Sequence, residues 1–244
     1  MTTVLVTGAT DGLGRALARE LVSAGDTVLI HGRDPGRGHR ALDETGAAEL
    51  FLADFASLAA VREMTIALPS IDVLVNNAGL GFGDRREESS DGLELRFQVN
   101  YLAGFLLARE PRSPRVVNVA SGGQVPIDFD DPMITRGYSG TRAYCQSKLA
   151  QIMHAFDLAE DGVIANALHP ATYMPTKMVI DAGIAPISSL EQGLEATLAL
   201  VRRTDVTGHY FNGLQEARAD AQAYDVQART RLRALSEALL GANS

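Results

Sequence analysis

Short runs of β-branched and aliphatic residues recur along this chain, each followed by a longer stretch in which apolar side chains return every third or fourth position. That alternation of periods leaves few folds open, because strand feeding helix feeding strand builds βαβ units around a parallel sheet. Residues 2–8 (TTVLVTG) read as a first strand, and a helix over residues 13–23 places Leu13, Ala16, Leu17 and Leu21 on one face. Further strands are expected over residues 27–32, 48–54, 71–79, 115–121 and 162–170, with a short last one over 208–212. Helices are expected over residues 57–68, 93–109 and through AYCQSKLA (143–150), with a turn at RDPGRG (33–38) and a polar loop at GDRREESSDG (83–92). The Ala- and Arg-rich tail from Leu214 to Leu240 reads as a solvent-facing helix docked by Leu232, Leu235 and Leu239. No repeat, low-complexity block or linker divides the 244 residues, so the expectation is one doubly wound α/β domain with a seven-stranded, mostly parallel sheet and helices on both faces.

Composition narrows the function. A formal net charge of −8 leaves no electrostatic footprint for nucleic acid or an anionic membrane. No apolar stretch approaches the length of a membrane span and no leader-like segment is visible, so a cytoplasmic protein is expected. The single cysteine, Cys145, excludes an internal disulfide and a multi-cysteine zinc site; it reads as a small packing residue or as a reactive thiol. The five histidines (31, 39, 154, 169 and 209) lack metal-ligand spacing, so no metal is expected, and no G-x-S-x-G elbow suggests a hydrolase.

TGATDGLG (7–14) follows the first strand and opens a helix, the context a dinucleotide-binding loop requires. Gly8 suits a tight turn, Gly12 a close backbone approach to a pyrophosphate, and Gly14 close helix packing, while the helix N-terminus adds partial positive charge. The spacing G-x-x-x-G-x-G after a threonine resembles that of the short-chain dehydrogenase/reductase family, whose fold is Rossmann-like. The resemblance makes Thr7, Gly8, Thr10, Asp11, Gly12, Leu13 and Gly14 cofactor-loop residues. It also casts Asp54, with Phe55, as the adenine contact, and NNAG with Asn77, Ala78 and Gly79 as the motif that braces the sheet and lines the cofactor site. The second strand ends in HGRD, where Gly32 leaves room and the Arg33 guanidinium suits a 2′-phosphate, so NADP(H) is favoured over NAD(H). The competing reading makes Arg33 a solvated turn residue and Asp34 the ribose partner.

Two tyrosines precede lysines by four residues, and these are the only two lysines. Tyr144 and Lys148 sit in an uninterrupted helical pattern, where residues four apart stack on one face. In TYMPTK, Pro175 disfavours helix between Tyr173 and Lys177, which makes that pair a coincidence of spacing in a loop. A free phenol titrates near ~10, so a neighbouring ammonium would lower Tyr144 toward use as an acid or base. By resemblance, Tyr144 is the proton donor, Lys148 also binds the nicotinamide ribose, Ser121 in VVNVASGG polarises the substrate carbonyl, and Asn100 supports a proton relay.

AYCQSKLAQ and the insertion over residues 124–142 are similar to the retinol-dehydrogenase-like and protochlorophyllide-reductase-like branch. The chain departs from the family after its sixth strand, where HPATYMPT carries Ala171 in place of glycine; Pro170 and either Thr172 or Thr176 are then the nicotinamide-side contacts. The loop over residues 174–187 suggests an apolar lid or a subunit contact. The resemblance implies an NADP(H)-dependent oxidoreductase acting on a carbonyl or alcohol of a small apolar molecule. Non-redox use of the same site, or a non-catalytic nucleotide-binding scaffold, are the alternatives. Family members are often dimers or tetramers through the helices of Asn100 and Tyr144, and the insertion before Thr141 stands against that packing, so a homo-oligomer and a monomer both stay open; no nucleic-acid or membrane partner is expected.

Overall fold

The computed structural model describes residues 1–83, 85–109 and 113–242, so Asp84 of the polar loop lies outside the described residues. The expected βαβ series forms one sheet. Its parallel strands are β1 (Thr3–Val6), β2 (Thr27–Gly32), β3 (Glu49–Leu52), β4 (Val73–Asn76), β5 (Arg115–Val119), β6 (Ile164–His169) and β7 (Tyr210–Asn212), ordered 3-2-1-4-5-6-7. An eighth strand, β8 (Gln215–Ala217), was not anticipated and pairs antiparallel with β7, so the sheet has eight strands rather than seven. Because side chains alternate along a strand, Val4 and Val6 enter one core layer while Leu5 enters the other, and Val73 and Val75 oppose Leu74 in the same way. One layer is closed by α1 (Gly12–Ser23), α2 (Pro35–Thr45) and α7 (Leu190–Arg202). The other is closed by α3 (Leu58–Ala67), α4 (Ala103–Arg109), α5 (Gly140–Glu160) and α8 (Val226–Ala242).

Several expectations need correction. RDPGRG is the start of α2 and not merely a turn: the Asp34 carboxylate accepts from the Arg37 N–H at 2.7 Å and Pro35 occupies the first helical position. The helix expected over residues 93–109 carries a π-helical turn at Phe97–Leu102 before α4, which periodicity alone does not distinguish. The tail is not one helix: it begins with β8 and a 3₁₀ turn (Ala221–Tyr224), and α8 follows. Leu232 is buried and Leu235 and Leu239 pack on the core as expected, but Arg229 is buried too, paired with Asp157 and Glu160 of α5. With Tyr101 and Ser236 hydroxyls 2.6 Å apart, α8 covers α5 and the segment leading to α4. The insertion docks beside it, as Gln146 donates to the Pro132 carbonyl and the Gln222 side chain brackets Ile127.

The strand order reverses at β1 and β4, and there the strand ends leave a crevice where ligands of such sheets settle. A cleft of about 740 Å³ opens at this point.

Candidate active site

The first wall of the cleft is the glycine loop. Gly8 takes φ +64°, and a Cβ there would lie 2.7 Å from the Ala78 Cα. A Cβ on Gly14 would stand 2.6 Å from the Gly8 carbonyl oxygen and 2.5 Å from the Asn77 amide nitrogen. Thr7 ties this loop to the NNAG motif: its hydroxyl donates to the Val75 carbonyl and accepts from the Asn77 and Ala78 N–H groups, both at 3.0 Å. Asn77 returns two bonds, to the Thr7 and Gly8 carbonyls. Asp11 caps α1 through the Gly12 N–H at 2.7 Å. The loop thus presents a glycine-lined backbone at a helix N-terminus, which fits a pyrophosphate.

His31 was not singled out by sequence, yet it completes this wall. The Gly8 N–H donates to its Nδ1 at 3.1 Å and its Nε2–H donates to the Ala53 carbonyl at 3.0 Å, which fixes the neutral tautomer. Its ring stacks on Phe55 at 4.0 Å, and burial lowers its pKa to about 4. Only the register of β2 beside the glycine loop could reveal this contact.

At the far end Thr10, Asp11, Arg15, Arg37 and Arg40 surround a small hollow. Arg33 is exposed on the cleft lining, and Arg37 reaches Asp11 at 2.9 Å. Asp34 caps α2 through one carboxylate oxygen and also lines the cleft. Arg37 was missed for the same reason as α2: the stretch reads as a turn. Asp54 stands at the cleft with its carboxylate accepting from the Ala56 N–H, while the Phe55 side chain is buried against His31.

At the other end α5 brings Tyr144 and Lys148 onto the cleft as the helical spacing requires, with Ser121 just past β5. Ser121 is held twice: its hydroxyl accepts from the Gly123 N–H at 3.1 Å, and the Tyr210 phenol donates to its carbonyl at 3.0 Å. Burial raises the Tyr144 pKa, and the Ser121 hydroxyl beside it pulls the other way. The expected lowering by Lys148 is not what the resting site displays. The ammonium donates instead to the Val119 carbonyl at 2.9 Å and the Gln151 side-chain oxygen at 2.8 Å, 5.7 Å from the Tyr144 ring centroid. Burial lowers Lys148 itself to about 7.

Asn100 lies in the π-helical turn, a distortion common at functional sites. Its side chain accepts from the Leu80 N–H at 2.7 Å and donates to the Leu80 carbonyl and the Ser147 hydroxyl, so it fastens the NNAG exit loop to α5. The second Tyr–Lys pair is separated: Tyr173 takes φ +48° outside any helix, whereas Lys177 opens α6 (Lys177–Asp181) and pairs with Asp181. Of the two threonines, Thr172 bonds His169 at 2.9 Å, while the Thr176 methyl lies 3.2 Å from where a Gly12 Cβ would be. Pro170 lines the same cleft. The segment over residues 174–187 is thus a cover containing a short helix, with Met178 against Gly81. Cys145 is buried against Gly123, and burial raises its thiol, so it packs. Among the described residues no group of ligating side chains could hold a metal, and no helix is long and apolar enough to cross a membrane.

Known proteins resemble the chain over most of its length. The chain is 32% identical to human retinol dehydrogenase 13, across 98% of this chain and 84% of that one. It is 41% identical to a proposed daunorubicin C-13 ketoreductase of Streptomyces sp. (strain C5), across 69% of this chain and 64% of that one. The crystal structure of an uncharacterised protein from Mycobacterium paratuberculosis superposes with a TM-score of 0.86 at 30% identity, covering 99% of this chain and 94% of that one. The sequence profile of the short chain dehydrogenase family matches residues 2–184, and the chain belongs to that family of NAD(P)-dependent oxidoreductases.

Proposed function

We propose that this chain is an NADP(H)-dependent oxidoreductase that interconverts a carbonyl and an alcohol on a small apolar substrate. The observation that carries the reading is convergence: Ser121, Tyr144 and Lys148 meet the glycine loop across one cleft. The glycine cradle fits a dinucleotide pyrophosphate, and Arg33 with Arg37 fits a 2′-phosphate at the adenosine end. When bound there, the nicotinamide supplies or accepts the hydride.

The chain's own residues handle position and protons. Ser121, fixed by Gly123 and Tyr210, donates its hydroxyl to the substrate oxygen and holds it beside Tyr144. Tyr144 gives its phenolic proton to that oxygen during reduction and takes it back during oxidation. Burial holds that phenol protonated in the resting site, the form from which reduction starts. Lys148 spans from β5 toward the ribose, and Asn100 locks the loop over which the substrate enters. Phe82, Tyr173, Met178 and Ile184 make that entrance apolar. The relatives named as a retinol dehydrogenase and as a daunorubicin C-13 ketoreductase support the same substrate character.

Following NADPH absorbance with a panel of apolar ketones and aldehydes tests the proposal. Turnover should fall by at least about 10²-fold in Tyr144→Phe, in line with the loss of a general acid. Undiminished turnover in that variant would overturn it.

A further inference from the structure

We infer that Gln151 is a positioning residue for Lys148, its side-chain oxygen fixing where the ammonium sits and which proton it offers the cleft. This deepens the proposed function, since it rests on Lys148 holding the cofactor ribose. Gln151 lies one turn beyond Lys148 on α5 and is 2% exposed. An ammonium has three N–H donors. Gln151 takes one at 2.8 Å and the Val119 carbonyl takes another at 2.9 Å, which leaves one for the cleft that Lys148 lines.

The main chain that carries this acceptor is itself anchored. Asn118 donates to the Gln151 backbone carbonyl at 2.8 Å, and Asn118 accepts from Asn76 at 2.9 Å, so hydrogen-bonded amides tie the NNAG motif through β5 to α5 at Gln151. Position and charge of Lys148 are therefore set by neutral groups. The Val119 carbonyl approaches from β5, Gly79 from the facing loop, and Tyr144 from α5. The other titratable groups on the adjoining part of α5 face elsewhere: Cys145 meets Gly123, and His154 packs on Phe105 and Tyr101. Among the described residues no carboxylate pairs with Nζ, and burial alone lowers the ammonium to about 7. A group so placed responds to its one adjustable acceptor.

The test uses Gln151→Leu, which removes the acceptor, and Gln151→Glu, which keeps its reach and adds charge. NADPH is titrated by its fluorescence from pH 6 to 9, with kcat/KM measured alongside. Binding that needs the ammonium weakens as pH rises through its pKa. The midpoint should move down by about one pH unit in Gln151→Leu, with affinity at pH 7 about tenfold weaker, and up by about one unit or more in Gln151→Glu. Midpoints unmoved in both variants would overturn the assignment even if affinity fell. Should Gln151→Glu fail to fold, Gln151→Asn takes its place: its shorter reach should give a downward shift smaller than that of Gln151→Leu, and an unmoved midpoint in both overturns the inference. Tyr144→Phe separates the two claims. Persisting turnover there defeats the enzymatic reading, whereas lost turnover with unmoved midpoints defeats only the role of Gln151.

Discussion

The ring of Phe82 meets the ring of Tyr144 edge-on, with centroids 4.7 Å apart, while 41% of Phe82 remains exposed. An aromatic wall beside the Tyr144 phenol favours substrates with an apolar or planar body next to the reacting carbonyl. Phe82→Ala should reduce kcat/KM for bulky aryl ketones by roughly tenfold, while changing that for a short aliphatic aldehyde by less than about threefold. A steady-state comparison of the two substrates checks this. An equal loss on both would show that Phe82 merely supports Tyr144.

Discrimination between the two nicotinamide cofactors should reside in Arg33 and Arg37. A 2′-phosphate offers Arg37 a second partner besides Asp11, and Arg33 stands free on the lining of the cleft. The double Arg33→Ala, Arg37→Ala variant should raise the KM for NADPH about tenfold or more, with the KM for NADH nearly unchanged. Parallel kinetics with both cofactors decide the matter.

Lys148 is a costly residue for the fold. Its pKa drops from the ordinary 10.5 to about 7, so between those values the unfolded chain binds more protons and stability rises with pH. Below pH 7 the full burial cost is present. Lys148→Met should therefore remove activity yet stabilise the protein at pH 6.5, by about 2 kcal/mol after the lost bonds to Val119 and Gln151 are counted. That corresponds to a Tm rise of roughly 5 °C, which should shrink as the pH approaches 10. Scanning calorimetry at both pH values reads it.

His31 predicts acid sensitivity in the glycine loop. It is held neutral with its pKa lowered from 6.5 to about 4, so its protonation is deferred in the folded state and stability is lost as pH falls through that window. About 3 kcal/mol should vanish between pH 7 and 4 on its account. His154, lowered to about 3 by burial, adds a parallel limb. Urea unfolding at several pH values should show a shallower acid slope for His31→Asn than for the parent chain, and identical slopes would refute the account.

The parts legible in the sequence were those written in local pattern. β2 was bounded at Thr27 and Gly32 because its apolar run ends at a glycine, and Tyr144 and Lys148 shared a face because four residues make about one turn. β8 escaped notice because Gln215, Glu216 and Ala217 carry no strand pattern; pairing with β7 makes them a strand. α2 was hidden by two glycines and a proline, although Asp34 before Pro35 is a helix-start signal. α7 was likewise passed over, despite the reciprocal capping of Ser189 and Gln192. The partners of Lys148 and His31 were out of reach for another reason. Val119 lies 29 residues from Lys148, and Gly8 lies 23 from His31, distances that only the assembled sheet closes.

The two margins of that sheet have a consequence for how the protein behaves in a crowded solution. β3 offers four residues and β8 three, and each includes an exposed glutamate, Glu49 and Glu216. Rows so short and so charged give an incoming chain little to hydrogen-bond against, which disfavours fibre growth by strand addition. The charged margin at β8 thus guards that edge against strand addition.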